Sequence, residues 1–337
     1  MTLFRRQLLA TCGLAALATF LPSIAQIQPQ EKSIIKPPRL KVGDTVGLIN
    51  PAGFTYQKEI EPFLKILPKL GLNVKYGAHF FDRYGYLAGS DADRAADVNT
   101  MFADPSIQAI FAGMGGWGCN RILPLLDYEL IRNHPKIIMG YSDLTSLLLA
   151  IYAKSNIVTF HGPLLVSKWN PFTVTSAQKA LFNREPFLLQ NLNTVPIQTI
   201  APGKTRGRLI GGNLSVLTAM IGSSYLPDWK QSILFVEEIG EEVYRIDRML
   251  TQLKLAGILD KISGFIFGQC SHCDPEKPQE SLTLMQVLSD HILPLKIPAW
   301  YGSMIGHVRD IFTVPVGAEV EIDASAGTIQ LLESAVA

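Results

Sequence analysis

The feature that most constrains the fold is residues 137–152, where an apolar run turns sharply into a helix. Residues 137–139 predict a short buried strand, and the glycine and aspartate of residues 140–143 predict a tight turn. Helix formers follow from Leu144 onward. A serine at such a strand-to-helix corner holds its hydroxyl outside the sheet, so Ser142 is a candidate nucleophile.

The backbone amide of the residue after this serine is a candidate hydrogen-bond donor to a reaction intermediate. The N–H of Asp143 lies at the expected helix N-terminus, where free N–H groups stabilise a developing oxyanion. The corner departs from the Gly-x-Ser-x-Gly pattern of many serine hydrolases, because Leu144 occupies the position of the second glycine. A second interpretation is that Ser142 or Asp143 only caps a buried helix.

The first half of the chain alternates strands and helices. Predicted strands at 45–49 and 72–76 flank a segment with helical spacing, and a further strand is predicted at 107–112. Strand-helix-strand units imply a parallel sheet. We therefore predict an α/β domain with a parallel sheet over 39–166, which carries Ser142.

A glycine-rich turn at 113–118 follows the third of these strands. It lacks the lysine of a P-loop, so we interpret it as a source of backbone N–H groups. Ligands bind beyond the carboxyl ends of parallel strands, where this turn and the Ser142 corner would meet. Gly116 is then a candidate second oxyanion donor, and Gly115 and Trp117 are candidate substrate contacts. A plain tight turn, in which glycine only supplies positive φ, is the other interpretation.

The second half is rich in short alternating runs and predicts a β-rich α+β domain over 205–337, after an interdomain linker at 167–204. Residues 232–238 form an apolar run that ends in two carboxylates. Neighbouring strand residues point to opposite faces, so only one of Glu237 and Glu238 can face a crevice. Two solvated charges at a strand end are the alternative.

Two histidines compete for the role of general base. His307 follows a glycine in a loop between strands, where it could approach a serine from another domain. His161 lies at a strand end beside Pro163, a position more typical of a structural histidine.

Taken together, these motifs resemble the LD-carboxypeptidase family of serine peptidases, also called muramoyltetrapeptide carboxypeptidases, over nearly the whole chain after its N-terminal segment. The family's catalytic triad is Ser-Glu-His in chain order, and matching the motifs places it on Ser142, Glu237 and His307. The matching segments occur in the family's order and are 115–118 with Arg121, 140–143, 160–163, 211–214, 236–238 and 306–307.

The resemblance implies release of terminal D-Ala from a murein tetrapeptide, with no metal and no cofactor. Many relatives carry arginine where this chain has Met114, so we expect backbone amides and Asn213 to contribute more to substrate recognition than charge does. Arg208, Arg245 and Arg309 are the cations available for the substrate carboxylate. Two alternatives are a microcin-immunity-type peptidase acting on an aminoacyl-nucleotide or peptide antibiotic, and a non-catalytic murein-binding protein.

The N-terminal segment predicts export. Residues 1–25 combine Arg5 and Arg6 with an uncharged apolar run and small residues before Gln26, which is typical of a secretory signal and compatible with the twin-arginine route. A retained membrane anchor is the alternative. Residues 26–38 are polar and contain prolines, which predicts a linker. We expect a periplasmic or cell-envelope protein.

The net charge of the chain bears on the kind of partner it can bind. The chain has 337 residues and a formal charge of +1, so nothing directs it to nucleic acid. The sequence is compatible with a homodimer and does not specify the oligomeric state. Cys270 and Cys273 have metal or redox spacing, but no second ligand pair occurs elsewhere, so we expect ordinary thiols there.

Overall fold

Two β-sheets organise residues 33–337, the part of the chain that this computed structural model describes. The predicted signal at 1–25 and most of the predicted linker at 26–38 lie outside the described residues. The end of that linker packs on the fold, since the amide of Ile35 donates to the carbonyl of Asn156 at 2.7 Å. Within 33–337, no helix has the length and apolar character needed to cross a membrane.

The strands of the described residues are, in chain order, β1 (Thr45–Ile49), β2 (Asn73–Tyr76), β3 (Ala109–Ala112), β4 (Ile137–Gly140), β5 (Thr159–His161), β6 (Leu188–Gln190), β7 (Gln198–Ala201), β8 (Lys204–Asn213), β9 (Ile233–Ile239), β10 (Gly264–Ser271), β11 (Ala299–Tyr301), β12 (Val314–Val316), β13 (Glu319–Asp323) and β14 (Thr328–Leu331).

The α-helices of the same residues are α1 (Gln57–Leu64), α2 (Leu67–Leu70), α3 (Asp91–Ala103), α4 (Cys119–Ile122), α5 (Tyr128–Asn133), α6 (Thr145–Ser155), α7 (Pro171–Phe182), α8 (Leu214–Ala219), α9 (Val243–Leu255) and α10 (Leu284–Ile292). Short 3₁₀ turns occur at Leu123–Leu125, Ser142–Leu144, Pro278–Glu280 and Leu293–Leu295.

The first sheet has the strand order β12-β5-β4-β3-β1-β2. Its first five strands in the chain are parallel, and the two central ones, β3 and β4, are buried along their whole length. Continuous apolar runs are expected for strands that are covered on both faces. The antiparallel edge strand β12 pairs with β5. This strand belongs to the first sheet although it lies within 205–337, the range predicted for the second domain, because alternation along a strand does not specify its partner.

The second sheet has the strand order β6-β14-β13-β8-β9-β10-β11-β7. Strands β8 to β11 are parallel to one another and are connected through helices α8, α9 and α10. The remaining neighbours pair antiparallel. The predicted fold class is confirmed: a parallel α/β sheet in the N-terminal part is followed by a strand-rich C-terminal sheet with helices.

The predicted linker at 167–204 contains regular structure: helix α7 and the two edge strands of the second sheet, β6 and β7. Both strands are short and largely exposed, and that is why their sequence carries little periodicity. Domain boundaries at 166 and 205 stay predictions.

The two sheets approach each other beside the Ser142 corner. The amide of Asn213, at the end of β8, donates to the hydroxyl of Thr145 at 2.8 Å. A Cβ on Gly212 would lie 2.5 Å from the Thr145 side chain, so only glycine permits this approach. The carboxyl ends of β4 and β9 are thereby held next to one another.

Candidate active site

Ser142 stands where strand β4 turns into helix α6. Its backbone has φ of +64°, a left-handed conformation that is uncommon for a residue other than glycine and is often found at functional sites. A Cβ added to Gly115 would lie 3.0 Å from the Ser142 hydroxyl oxygen. The absence of a side chain at Gly115 therefore lets the glycine turn lie directly against this serine.

Ser142, His307 and Glu237 form a continuous chain of polar contacts. The Nε2 atom of His307 is 3.1 Å from the Ser142 hydroxyl oxygen, and its Nδ1 atom is 2.8 Å from Oε2 of Glu237. A carboxylate only accepts hydrogen bonds, so Nδ1 carries the hydrogen and Nε2 offers its lone pair to the serine O–H. The structure thus brings together three residues that are 70 and 165 positions apart in the sequence.

Both carboxylates at the end of β9 are buried, and they point in different directions. Glu237 is fully buried beside His307. Glu238 accepts from the amide of Ser215 at 2.8 Å and from the side-chain amide of Asn213 at 3.0 Å, and burial raises its pKa. The alternative of two solvated charges was wrong, because each carboxylate has buried hydrogen-bond donors on its own face of the strand.

The loop that carries His307 is held by neighbouring residues. Gly306 has φ of +88°, and a Cβ there would lie 2.1 Å from Oε2 of Glu237. The hydroxyl of Ser271 donates to the carbonyl of His307 at 2.5 Å. Ser271 stands between Cys270 and Cys273, which form a disulfide. Our expectation of ordinary thiols was wrong, since the two cysteines close a short loop behind the histidine.

His161 lies beside the other oxygen of Glu237. Its Nε2 atom is 3.9 Å from Oε1 of Glu237, and the imidazole is completely buried. Burial lowers the pKa of His161 to about 4, so the ring is neutral near pH 7. His307, and not His161, makes the contact with Ser142 among the described residues.

The candidate oxyanion donors belong to the Ser142 corner and to the glycine turn. Gly116 has φ of +99°, and Asp143 lies in the 3₁₀ turn after β4. The buried Asp143 carboxylate accepts from the amide of Cys119 at 2.7 Å, and burial raises its pKa. This contact fastens the glycine turn to the serine corner.

The predicted substrate contacts differ in accessibility. Trp117 is 46% exposed at the end of the glycine turn. Asn213 is buried: its side-chain oxygen caps helix α8 by accepting from Val216, while its side-chain amide donates to Glu238. These internal bonds occupy the side chain of Asn213, and its predicted contact with substrate stays a prediction.

Arg94 supports the glycine turn and was missed by sequence reasoning. This buried guanidinium donates to the carbonyl of Gly118 at 2.9 Å and to that of Pro51, and it pairs with Asp91. The sequence did contain a signal, because Arg94 has the i, i+4 spacing of the buried stripe of helix α3, with Val98 next along it. A cation on an apolar stripe indicates a buried polar contact.

Within residues 33–337, one group of side chains has the spacing of a metal site. His79, Asp82 and Asp93 bring their ligand atoms within 4.8 Å of one another. The Nδ1 atom of His79 already lies 2.8 Å from Asp82, and this hydrogen bond raises the pKa of His79. The group therefore has an ordinary explanation as a partly exposed histidine between two carboxylates.

Known proteins resemble this chain over most of its length. Residues 46–162 match the LD-carboxypeptidase N-terminal domain, and residues 206–322 match the LD-carboxypeptidase C-terminal domain. A probable murein peptide carboxypeptidase of Bacillus subtilis is 41% identical over 298 residues, which cover 87% of this chain and 93% of that protein.

Solved structures share the fold. The microcin C7 self-immunity protein MccF in complex with aspartyl sulfamoyl adenosine matches with a TM-score of 0.83 at 28% identity, covering 90% of this chain and 100% of that one. A muramoyltetrapeptide carboxypeptidase from Oxalobacter formigenes matches with a TM-score of 0.76 at 28% identity, covering 85% and 97%.

The fold and these matches define a hydrolase of the serine carboxypeptidase class. The chain belongs to the LD-carboxypeptidase family.

Proposed function

We propose that this protein is a serine LD-carboxypeptidase that releases the terminal D-Ala from murein tetrapeptides, with Ser142, Glu237 and His307 as its catalytic triad. The observation that carries the proposal is the contact chain from Ser142 through the His307 imidazole to buried Glu237, at 3.1 Å and 2.8 Å. Relatives named for murein peptides support the substrate class.

The reaction follows from the orientation of the imidazole. His307 takes the proton of the Ser142 hydroxyl through Nε2 as the serine oxygen attacks the scissile carbonyl. Glu237 keeps the Nδ1–H tautomer and stabilises the imidazolium that forms. The amides of Asp143 and Gly116 donate to the oxyanion of the tetrahedral intermediate.

Collapse of this intermediate breaks the amide bond. His307 returns its proton to the leaving nitrogen, and D-Ala departs with a neutral amine. Water, deprotonated by the same imidazole, then attacks the acyl-serine ester. The ester C–O bond breaks, His307 returns the proton to the Ser142 oxygen, and the shortened peptide is released with a new carboxylate.

A second candidate function also has support. The chain is 30% identical to MccF of Escherichia coli over 329 residues, and the complex of MccF with aspartyl sulfamoyl adenosine shares its fold. A microcin-immunity-type peptidase that acts on an aminoacyl-nucleotide would use the same three residues. Only the groups on either side of the scissile bond would differ.

Substitution of the nucleophile tests the triad. We expect Ser142→Ala to lower kcat by at least about a thousandfold, because a triad cannot act without its nucleophile. The melting temperature should change little, because the substitution removes only the hydroxyl oxygen and keeps the Cβ at this position of positive φ. Retained turnover in the purified, folded variant would refute the assignment.

The substrate is tested by chromatography with mass detection on three compounds. We expect release of one D-Ala from a disaccharide tetrapeptide and no cleavage of the pentapeptide that ends in D-Ala-D-Ala. Cleavage of the pentapeptide alone would indicate a DD-carboxypeptidase. Turnover of an aminoacyl-sulfamoyl nucleotide, with no action on the tetrapeptide, would favour the microcin-type function.

A further inference from the structure

A cavity of about 460 Å³ opens beside the imidazole of His307. Two cationic side chains, Lys168 and Arg309, line it together with the ring of Tyr141 and the polar side chain of Gln269. We call this cavity the cationic pocket. Its lining contains no aspartate and no glutamate among the described residues.

The two cations have no anionic partner in the described part of the chain. Neither Lys168 nor Arg309 takes part in any of the ion pairs among residues 33–337, and both side chains are exposed. The backbone of Arg309 is nevertheless fixed, since its carbonyl accepts from the side-chain amide of Asn170 at 2.9 Å. The pocket therefore has an unbalanced positive charge that complements an anion.

The other two arginines considered from the sequence are already engaged. Arg208 is 3.9 Å from Glu319 and donates to the carbonyl of Gly317. Arg245 pairs with Glu241, four positions earlier, at 3.4 Å. Arg309 is the member of the three that lies beside the candidate base.

The proposed reaction fixes which part of the substrate lies near His307. The imidazolium delivers its proton to the leaving nitrogen, so the leaving residue occupies the His307 side of Ser142. In a carboxypeptidase that residue carries the free carboxylate, whose carbon is two bonds and about 2.5 Å from the nitrogen. The carboxylate must therefore lie within a few ångströms of the imidazole.

From this geometry we infer that the cationic pocket is the binding site for the free terminal carboxylate of the substrate, with Lys168 and Arg309 as its cations. The inference rests on the proposed carboxypeptidase function and deepens it. It replaces our expectation from the sequence that backbone amides and Asn213 contribute more to substrate recognition than charge does. It also explains how the enzyme would select a chain end, because a further residue would replace the carboxylate by a neutral amide and fill the cavity.

The test compares a murein tetrapeptide ending in D-Ala with the same peptide ending in D-alaninamide. The wild-type enzyme should prefer the free acid by roughly 10- to 100-fold in kcat/KM, the usual effect of losing a charged hydrogen-bond partner. Lys168→Met and Arg309→Gln should each lower kcat/KM for the acid and leave the amide nearly unaffected, so the preference should shrink. Release of D-alaninamide is measured alongside release of D-Ala.

Lys179→Met is the matched control, since Lys179 is an exposed lysine on helix α7 outside the pocket lining. This variant should keep the wild-type preference. Melting temperatures establish that all three variants are folded. An unchanged acid-to-amide ratio in both Lys168→Met and Arg309→Gln would overturn the inference while the carboxypeptidase function stands. A wild-type enzyme that cleaves neither peptide would overturn both.

Discussion

At the scale of single residues, the most informative group is the buried carboxylate between two histidines. Glu237 bonds the His307 imidazole through Oε2, while Oε1 faces His161 at 3.9 Å. The rings of Tyr141 and Phe235 lie 6.0 Å and 5.4 Å from that of His161, so water has little access. A neutral His161 leaves the negative charge of Glu237 available to the imidazolium of His307.

This arrangement makes stability depend on pH through His161. Its pKa is lowered from 6.5 to about 4 on folding, so the unfolded chain binds more protons between these values. The contribution to stability is complete above pH 6.5 and decreases as the pH falls, reaching a loss of about 2 kcal/mol at pH 5. We expect His161→Gln to show a smaller decrease in unfolding free energy than the wild type between pH 7 and pH 5.

Urea unfolding at the two pH values measures this difference, and His134→Gln, at an exposed position, controls for loss of a histidine. Identical pH dependence in the wild type and in His161→Gln would contradict a neutral, buried imidazole. Activity of the same variant at pH 7 reports separately on the position of Glu237.

At the scale of elements, the loop after β11 depends on a glycine. Gly306 has φ of +88°, and a Cβ added to it would lie only 2.1 Å from Glu237, which excludes any side chain there without movement of the carboxylate. Gly240 offers a matched comparison: its φ is +68°, and a Cβ there would meet nothing within 4 Å.

We expect Gly240→Ala to lose about 1 kcal/mol of stability from the left-handed backbone, and Gly306→Ala to lose more because its methyl group also overlaps the buried carboxylate. Only Gly306→Ala should lose activity, by about a hundredfold or more in kcat, since a displacement of about 1 Å at a catalytic group has such an effect. Steady-state kinetics measure the loss of activity in the two variants, and thermal unfolding measures their loss of stability. Equal kinetics would mean that Glu237 accommodates the methyl group.

Some of these elements could be predicted from the sequence and others could not. The strand before Ser142 was predictable, because a short apolar run followed by turn residues is a strong local signal. Edge strands β6 and β7 were not, since exposed residues leave no period to detect. Local pattern could not join Glu237 to His307 across 70 positions, and only the family resemblance linked them. Arg309 was one of three candidate cations in the sequence, but no motif singled it out or joined it to Lys168, because the two residues meet only around a folded cavity.

At the scale of the whole molecule, the site depends on the meeting of two sheets. Ser142 follows β4 of the first sheet, while Glu237 lies near the end of β9 in the second. The contact between Asn213 and Thr145 lies beside this junction. The nucleophile and the carboxylate therefore keep their separation only while the sheets stay packed together, and a loosened interface would lower activity before it unfolds the chain.

The cellular location is also a property of the whole chain, and we propose that the protein is exported. The motivating residues are Arg5, Arg6 and the apolar run that ends before Gln26, all outside the described structure. The Cys270–Cys273 disulfide is a second indication, because disulfides persist mainly in oxidising compartments outside the cytoplasm.

The intact mass of the protein, isolated from the cell envelope of its native host, tests both the cleavage of the signal and the disulfide. We expect a chain that begins near Gln26 and has two hydrogens fewer than its fully reduced form, with Cys119 as a free thiol. A full-length chain with reduced cysteines, recovered from the cytoplasmic fraction, would refute export.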